Sequence, residues 1–420
     1  MPDLLRTLKA RGLVQDVTPG LAARLASGPI TGYVGFDPTA ESLHVGNLVP
    51  VMALAWLQRL GGRPLIIVGG GTGMVGDPSG KRSERPMLSV QQLEKNVHAL
   101  REQLGRFVDY TGPLAAKMFN NAEWLGRVTL LEFLRDTGKH FTLGYMMQKE
   151  SVKSRLETGI SFTEFAYMLV QAHDYEHLFR TERCELQMGG SDQWGNITAG
   201  IELVGRKHGQ EVHGLTLPLL TTASGAKFGK SEGGNIWLDP EKTSPYAFYQ
   251  FWINQDDRDA ERLLRTFTFL SPDEITEVIA RHRVAPEKRA AQRLLAAEMT
   301  RRIHGDEALA KAESAAAALF SGGTADAESL RSMEMPEVLI AAAEFGEGMP
   351  IVDVLVRAKL ASSKADARRG IEGRGFYLGG DPITDASERL EAKSLDKVDG
   401  ALVAILRKGK RNYVRVVIRP

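Results

Sequence analysis

One cysteine, Cys184, stands among 420 residues. A lone thiol excludes an internal disulfide framework and any cysteine-built zinc or iron–sulfur centre. A reducing, cytoplasmic compartment is the expectation. Long apolar runs are also missing. Stretches such as Leu65–Val68 and Ala401–Leu406 are short, far below the roughly 20 residues of a membrane span. The opening segment MPDLLRTLKARGLVQDV is amphipathic and charged, without the apolar stretch of a signal peptide. Nor is there an excess of one charge: 53 Lys and Arg face 52 Asp and Glu, a net of +1. That excludes a uniformly basic coat protein for nucleic acid and an acidic disordered chain. What is present is an ordinary globular balance, 43% hydrophobic and 25% charged. At roughly 100–200 residues per domain, the length predicts two to four domains.

The near-zero net charge conceals an asymmetry. Residues 350–420 carry 15 Lys and Arg against 9 Asp and Glu, a net of +6, and the remainder carries 38 against 43. A basic C-terminal module on a mildly acidic body fits a polyanion-binding appendage; a solvated basic face is the alternative. Between them, 321–349 opens with Gly322-Gly323 and holds six acids and one Arg, which reads as a linker.

The front half alternates strand and helix. Thr31–Phe36 reads as a strand ending in the turn signal Asp37-Pro38-Thr39. A helix is predicted from about Ser42, with Leu48, Met52, Ala55 and Leu60 at helical spacing. Pro64–Val68 reads as a buried strand. Ser89 and Gln92 form a capping box ahead of Leu93, Val97, Leu100 and Leu104. Strand, helix and strand in that order predict a parallel α/β sheet. Residues 250–320 read as helical, and Ala401–Leu406 with Tyr413–Ile418 as a β-hairpin.

Two glycine-rich segments resemble phosphate loops without matching them. Gly71–Gly76 fits G-x-G-x-x-G after a strand. A dinucleotide site needs a helix opening inside the motif, and Asp77-Pro78-Ser79-Gly80 reads as a turn instead. Gly225–Ser231 reads G-A-K-F-G-K-S, one residue too short for a P-loop. Its Lys227, Gly229, Lys230 and Ser231 could still wrap a triphosphate; an exposed basic turn is the other reading. His44-Val45-Gly46-Asn47 is placed better. It lies between the first strand and the first helix, where free backbone N–H groups and a positive dipole end are available. Gly46 would admit a nucleotide close to the backbone, and His44 and Asn47 would donate to phosphate and ribose.

The pair His44-Val45-Gly46-Asn47 and Lys227-Phe228-Gly229-Lys230-Ser231 resembles the two ATP motifs of class I aminoacyl-tRNA synthetases. Further segments resemble the bacterial tyrosyl-tRNA synthetases among them: Gly35-Phe36-Asp37-Pro38-Thr39-Ala40, Val75–Lys81, Glu157–Phe165 and Gly189–Asn196. The resemblance covers nearly the whole chain. It departs at Asn47, which replaces a second His but also donates and accepts hydrogen bonds, and at His173, where relatives often carry Tyr beside Asp174.

Ser161 and Glu164 form a capping box, so a helix starts there. Tyr167, Gln171 and Asp174 then share one face. Alone, this is equally a solvated stripe. The resemblance implies that Tyr167 and Gln171, with Asp77, bind the α-ammonium of tyrosine. It also implies that Tyr33 and Asp174 meet the phenolic hydroxyl. Groups matched to a hydroxyl lose their partner when phenylalanine enters, a rule for which tyrosyl-tRNA synthetases are themselves the standard example. Gln187 and Gln193 are expected to line the same pocket. Gly35, Asp37 and Asp192 would join the ATP contacts, and Thr39, Lys81 and Arg85 the reacting phosphates. Lys364, Arg368, Arg369, Arg374, Lys408, Lys410 and Arg411 would contact tRNA.

The implied architecture is α/β. A Rossmann-type parallel-sheet catalytic domain spans 1–221, with 112–150 as its connective and dimer region. The lysine loop and linker (222–247), an α-helical domain (248–320), a linker (321–349) and a small α+β S4-like RNA-binding domain (350–420) follow. The implied reaction is activation of L-tyrosine by ATP, then transfer to the 3′ end of tRNA(Tyr). ATP would arrive as Mg-ATP, with no metal site built from protein ligands. A homodimer and no membrane partner are expected. The rivals are a tryptophan enzyme of the same fold and a non-catalytic RNA-binding relative. Tyr33 with Asp174 argues against the first, and His44 with the lysine loop against the second.

Overall fold

The computed structural model of the chain describes residues 3–77, 89–153, 159–231, 234–320, 337–379, 381–398, 400–409 and 412–419. They form two compact units, Met1–Lys242 with Trp252–Ile303 and Thr243–Phe251 with His304–Pro420.

In the first unit, strands β1 (Thr31–Phe36), β2 (Arg63–Val68), β3 (Lys117–Asn120), β4 (Leu186–Gly190) and β5 (His213–Leu217) form a parallel sheet ordered β3-β2-β1-β4-β5. Burial explains the strand sequences. Pro64–Val68 is buried at every position, the near-continuous apolar run of a strand covered on both faces. Helices α1 (Leu4–Ala10), α2 (Leu48–Arg59), α3 (Val90–Leu104), α4 (Phe162–Glu182) and α5 (Trp194–His208) belong to this unit. Ser161 and Glu164 do form a reciprocal capping box at the start of α4.

Three local expectations are corrected. α2 starts at Leu48 and not near Ser42, because the backbone ahead of it is committed to extended pairing. Val45 N–H donates to the Ile236 carbonyl (2.8 Å) and Leu238 N–H to that of Leu43 (2.9 Å). Ser89 caps α3 through Gln92 N–H, but the Gln92 amide turns to Glu41 (2.7 Å) and Asn96 (3.0 Å), so the box is half made. A helical turn, Thr72–Val75, does open inside the glycine motif. Its first N–H groups are capped from a distance, Asn121 Oδ1 accepting from Gly71 (2.7 Å) and Thr72 (3.4 Å).

Beyond the sheet the chain is helical, with α6 (Pro245–Ile253), α7 (Asp257–Phe267), α8 (Pro272–Val284) and α9 (Ala290–Phe320), the last broken at Gly305. Arg11, just past α1, closes the C-terminal end of α7. Its guanidinium donates to the carbonyls of Arg265 (3.0 Å), Thr268 (2.8 Å) and Leu270 (2.6 Å) and lies 3.9 Å over the Trp56 ring. Burial, with Arg59 and Arg265 nearby, pushes its pKa down to about 10.

The second unit holds β6 (Glu337–Ala341), α10 (Ile351–Arg357), α11 (Lys364–Glu372), β7 (Phe376–Leu378), β8 (Asp381–Pro382), β9 (Ala401–Lys408) and β10 (Asn412–Arg419). Its sheet runs β8-β7-β9-β10-β6, and β9 and β10 form the expected antiparallel hairpin. One apolar cluster joins that sheet to α10 and α11 through Val354, Leu355, Phe376 and Leu406. Another sets Ala401, Val403, Ile405 and Val417 against Ala315 and Tyr246. No helix among the described residues is long and apolar enough to cross a membrane.

Arg11→Ala should cost about 3 kcal/mol, because three carbonyls at a helix end lose a charged donor. A lower urea midpoint at unchanged slope would register it. Arg11→Lys should recover less than half, since an ammonium cannot fork across all three.

Candidate active site

Order β3-β2-β1-β4-β5 makes the β1/β4 border the switch point of the sheet, where open α/β folds place their ligands. A cavity of about 450 Å³ opens there. Tyr33 on β1 pairs with Gln187 on β4, and both line it. Asp37, Thr39, His44 and Asn47 reach it from the segment after β1, and Tyr167, Gln171 and Asp174 from α4. Asp77, Asp192, Gln193, Gly35 and Lys227, also among the expected residues, line it too.

One end of the cavity gathers buried polar groups. The Tyr33 phenol is buried, and among the described residues its oxygen has no hydrogen-bond partner; the same holds for Gln187 Oε1. Burial holds this phenol well above its ordinary pKa, with the Asp174 charge adding to the effect. Asp174 is 3% exposed. Trp124 Nε1 donates to its Oδ1 (2.7 Å) and Asn121 Nδ2 to its Oδ2 (2.8 Å). Burial pushes its pKa up to about 7, against the pull of those two bonds. Each carboxylate oxygen keeps lone-pair capacity for a further donor.

The opposite wall is polar and linked. Gln193 Nε2 donates to Asp77 Oδ2 (2.7 Å), and Asn196 Nδ2 donates to Gln171 Oε1 (3.2 Å) and Gln193 Oε1 (3.1 Å). Burial raises the Tyr167 phenol well above its usual pKa, with Asp37, Asp77 and Asp174 adding to the rise. Acceptors of this kind, with a carboxylate among them, suit an ammonium group.

Nearer the cavity mouth, two distant segments lock together. His44 pairs with Trp237 as an antiparallel bridge, and their rings meet edge to face at 5.8 Å. His44 and Asn47 form a capping box, so Asn47 Oδ1 accepts from His44 N–H (3.0 Å). Gly46 is not a lining residue. A Cβ on Gly229, whose φ is +86°, would lie 2.8 Å from Gly46 N, so the lysine loop rests directly on that glycine.

Lys81 and Arg85 lie outside the described residues, as do the side chains of Lys230 and Ser231. His173 is not at the cavity wall; its Nδ1 lies 3.1 Å from Thr137 Oγ1, beside Phe133. Sequence reasoning missed Asn121, Trp124, Thr72 and Asn196. Asn121 follows the C-terminal end of β3, a position that the rule for parallel sheets marks as site-forming. It also missed Asn96, whose amide donates to Pro38 O (2.6 Å), and Gln103, which accepts from Leu43 N–H (2.8 Å). Both steady the loop after β1. Among the described residues no group of three His, Cys, Asp or Glu is placed to hold a metal ion.

The basic set is in the second unit. Lys364, Arg368, Arg369, Arg374 and Lys408 are exposed there. Lys364 pairs with Asp353 (2.6 Å), and Arg407 lies 3.7 Å over the Tyr377 ring. Lys410 and Arg411 fall outside the described residues.

Comparison with known proteins fits this geometry. Residues 25–321 match the family model of tRNA synthetases class I (W and Y), and residues 328–416 match the tyrosine–tRNA ligase SYY-like C-terminal domain. A tyrosine–tRNA ligase of Anaeromyxobacter dehalogenans is 58% identical over 424 residues, covering 100% of both chains. One from Roseiflexus castenholzii is 50% identical over 421 residues, 98% of this chain and 99% of that one. Among solved structures, a C-terminally truncated mitochondrial tyrosyl-tRNA synthetase of Aspergillus nidulans aligns with a TM-score of 0.69 at 32% identity. It covers 76% of this chain and 95% of its own. With a matching model over most of its length and such identities end to end, the chain belongs to the class I tRNA synthetases of the W and Y family.

Proposed function

We infer that this chain ligates tyrosine to tRNA: it activates L-tyrosine with ATP and passes the tyrosyl group to the 3′ end of tRNA(Tyr). The observation that carries the substrate is the buried Tyr33 hydroxyl, without a partner among the described residues, in a cavity that also holds Asp174. A phenolic substrate accepts from Tyr33, whose hydroxyl is thereby paired, and donates to a remaining lone pair of Asp174. Its ammonium sits among Asp77, Tyr167 and Gln171, and Gln187 and Gln193 fix the remainder.

No protein nucleophile is required. A substrate carboxylate oxygen attacks the α-phosphorus of Mg-ATP, the new O–P bond forms, and the bond to the β-phosphate oxygen breaks to release pyrophosphate. The terminal ribose hydroxyl of tRNA then attacks the tyrosyl carbonyl, and AMP leaves. The protein contributes position and charge. His44, Lys227 and Lys230 face the phosphates, with Asn47, Thr39, Lys81, Arg85 and Ser231 in support, and Gly35, Asp37 and Asp192 hold the nucleoside. Lys364, Arg368, Arg369, Arg374, Lys408, Lys410 and Arg411 supply salt-sensitive contacts to tRNA phosphates. Such an enzyme works in the cytoplasm, where its tRNA is. Pyrophosphate exchange that depends on tyrosine, and not on tryptophan, tests the reading. Exchange with tryptophan alone would overturn it.

A second copy of the chain completes the proposal. Phe162, Leu130, Leu131 and Leu143 are 79%, 70%, 78% and 68% exposed, an unusual set for a monomer. Their segments share a cluster around Phe141, Met146 and Leu169. Phe162→Asp should shift the protein toward monomers in sedimentation velocity; an unmoved dimer would place the interface elsewhere.

Protonation should govern the choice of amino acid. Asp174 accepts a proton more readily than an ordinary carboxyl, so the stability it contributes is present at low pH and lost as pH rises through about 7. Substrate recognition runs the other way and needs the charged form. Between pH 8 and pH 6 the kcat/KM ratio of tyrosine over phenylalanine should fall roughly tenfold, since kcat/KM reports groups of the free enzyme. A flat ratio would remove Asp174 as the acceptor.

The chain cut after residue 320 retains every cavity residue. It should still form tyrosyl-adenylate and charge tRNA poorly. Measuring both half-reactions across a salt series checks this, and normal charging at moderate salt would place the RNA surface outside the C-terminal module.

A further inference from the structure

The turn that leads into the lysine loop is held by α7, a helix that follows the sheet in the chain. Thr222–Gly225 is a β-turn, with Gly225 N–H donating to Thr222 O (2.8 Å), and Thr221 bridges to Lys227 across it. At the first residue inside this turn, Ala223 N–H donates to Asp259 Oδ2 (2.7 Å). Arg262, one helical turn further along α7, donates from one nitrogen to Thr221 O (2.5 Å) and to Asp259 Oδ1 (2.6 Å). Asp259 is buried, and it sits in the first turn of α7, where the helix dipole favours a carboxylate. The other end of α7 holds the loop on the far side of Lys227. The Phe228 ring is buried and stacks on Phe267 at 5.5 Å and 18°, with Trp252 at 5.8 Å. Lys227, which lines the cavity, is thus bracketed by two anchors that belong to one rigid helix.

We propose that Asp259 and Arg262 are positioning residues for adenylate formation: they fix the turn at 221–223 and thereby set where the lysine loop presents its charge. A lysine stem is long and flexible, so the position of its ammonium depends on the backbone beneath it. Displacement of a charged group by about 1 Å can cost roughly a hundredfold in rate. Neither Asp259 nor Arg262 lines the cavity, so they act through the loop and not on the substrate. The inference rests on the reading of Lys227 and Lys230 as phosphate-facing groups.

The test uses the full chain and single-turnover formation of tyrosyl-adenylate at saturating tyrosine and Mg-ATP, alongside the Kd of tyrosine. Ala223→Pro is the sharpest variant. It occupies the turn position where proline is favoured, and it deletes only the N–H that Asp259 accepts. Asp259→Asn and Arg262→Ala attack the same link from the helix. Each should slow adenylate formation by about ten- to a hundredfold and leave the tyrosine Kd within about twofold. The losses of Ala223→Pro and Asp259→Asn should not multiply in the double variant, because one link is broken twice. In a Lys227→Ala background the loss from Arg262→Ala should shrink. Wild-type rates in Ala223→Pro and Arg262→Ala would overturn the inference, as would tyrosine affinity falling in step with the rate, which marks a general loss of structure. Lys227→Ala is the control. If it slows the reaction and Ala223→Pro does not, only the role of α7 falls. If Lys227→Ala itself reacts at the wild-type rate, the phosphate reading of the loop falls, and this inference with it.

Discussion

Both edges of β1 are taken, β2 on one side and β4 on the other, and everything at the site hangs on that pairing. In a parallel sheet all strand ends of one kind lie together. The connections from β1 toward β2 and from β4 toward β5 leave in opposite directions, so a crevice opens between them that no connection covers. Tyr33 and Gln187 face each other across that border. The loop after β1 and the polar face of α4 are drawn to the same place. The register of one strand pair therefore aligns groups from residue 33 to residue 193.

The crevice contains chemistry that costs stability. Asp174 is buried with two neutral donors, Trp124 and Asn121, around it. A carboxylate so placed holds its proton more tightly than usual, because neutral donors offset only part of the lost hydration. The Tyr33 hydroxyl and Gln187 Oε1 stay unsatisfied among the described residues. Polar groups left in this state are expected at a site whose missing partners belong to a substrate.

A second level of order comes from backbone joined over long separations. Residues 43–45 pair with 236–238, and Gly229 rests on Gly46. Two motifs nearly two hundred residues apart thus become one wall. The contact needs glycine at 229, where a Cβ would lie 2.8 Å from Gly46 N, whereas a Cβ on Gly46 would press instead on the His44 ring at 2.9 Å. Asn96 and Gln103 of α3 steady the segment from Pro38 to Leu43, so the loop after β1 is supported by side chains that do not themselves line the cavity.

Much of this was legible in the chain itself. The strands Thr31–Phe36 and Pro64–Val68, the capping box at Ser161 and the C-terminal hairpin follow from local rules: apolar runs, a hydroxyl and a carboxylate three residues apart, and two β-rich segments around a basic turn. Tyr33, Tyr167, Gln171 and Asp174 were nominated for tyrosine by resemblance, and the fold gathers all four around one cavity. Tertiary structure alone decided the rest. Asn121 and Trp124 could not be read as partners of Asp174, because their bonds cross about fifty residues and depend on β3 lying beside β2. His173 adjoins Asp174 in sequence yet points to Thr137, since neighbours on a helix face directions about 100° apart. The helix expected from Ser42 begins only at Leu48, because distant backbone at 236–238 claims residues 43–45 as extended partners and Val45–Asn47 then form a single 3-10 turn. Periodicity and capping are local and so can be read along the chain, whereas which buried polar group meets which is settled only when the sheet order brings them together.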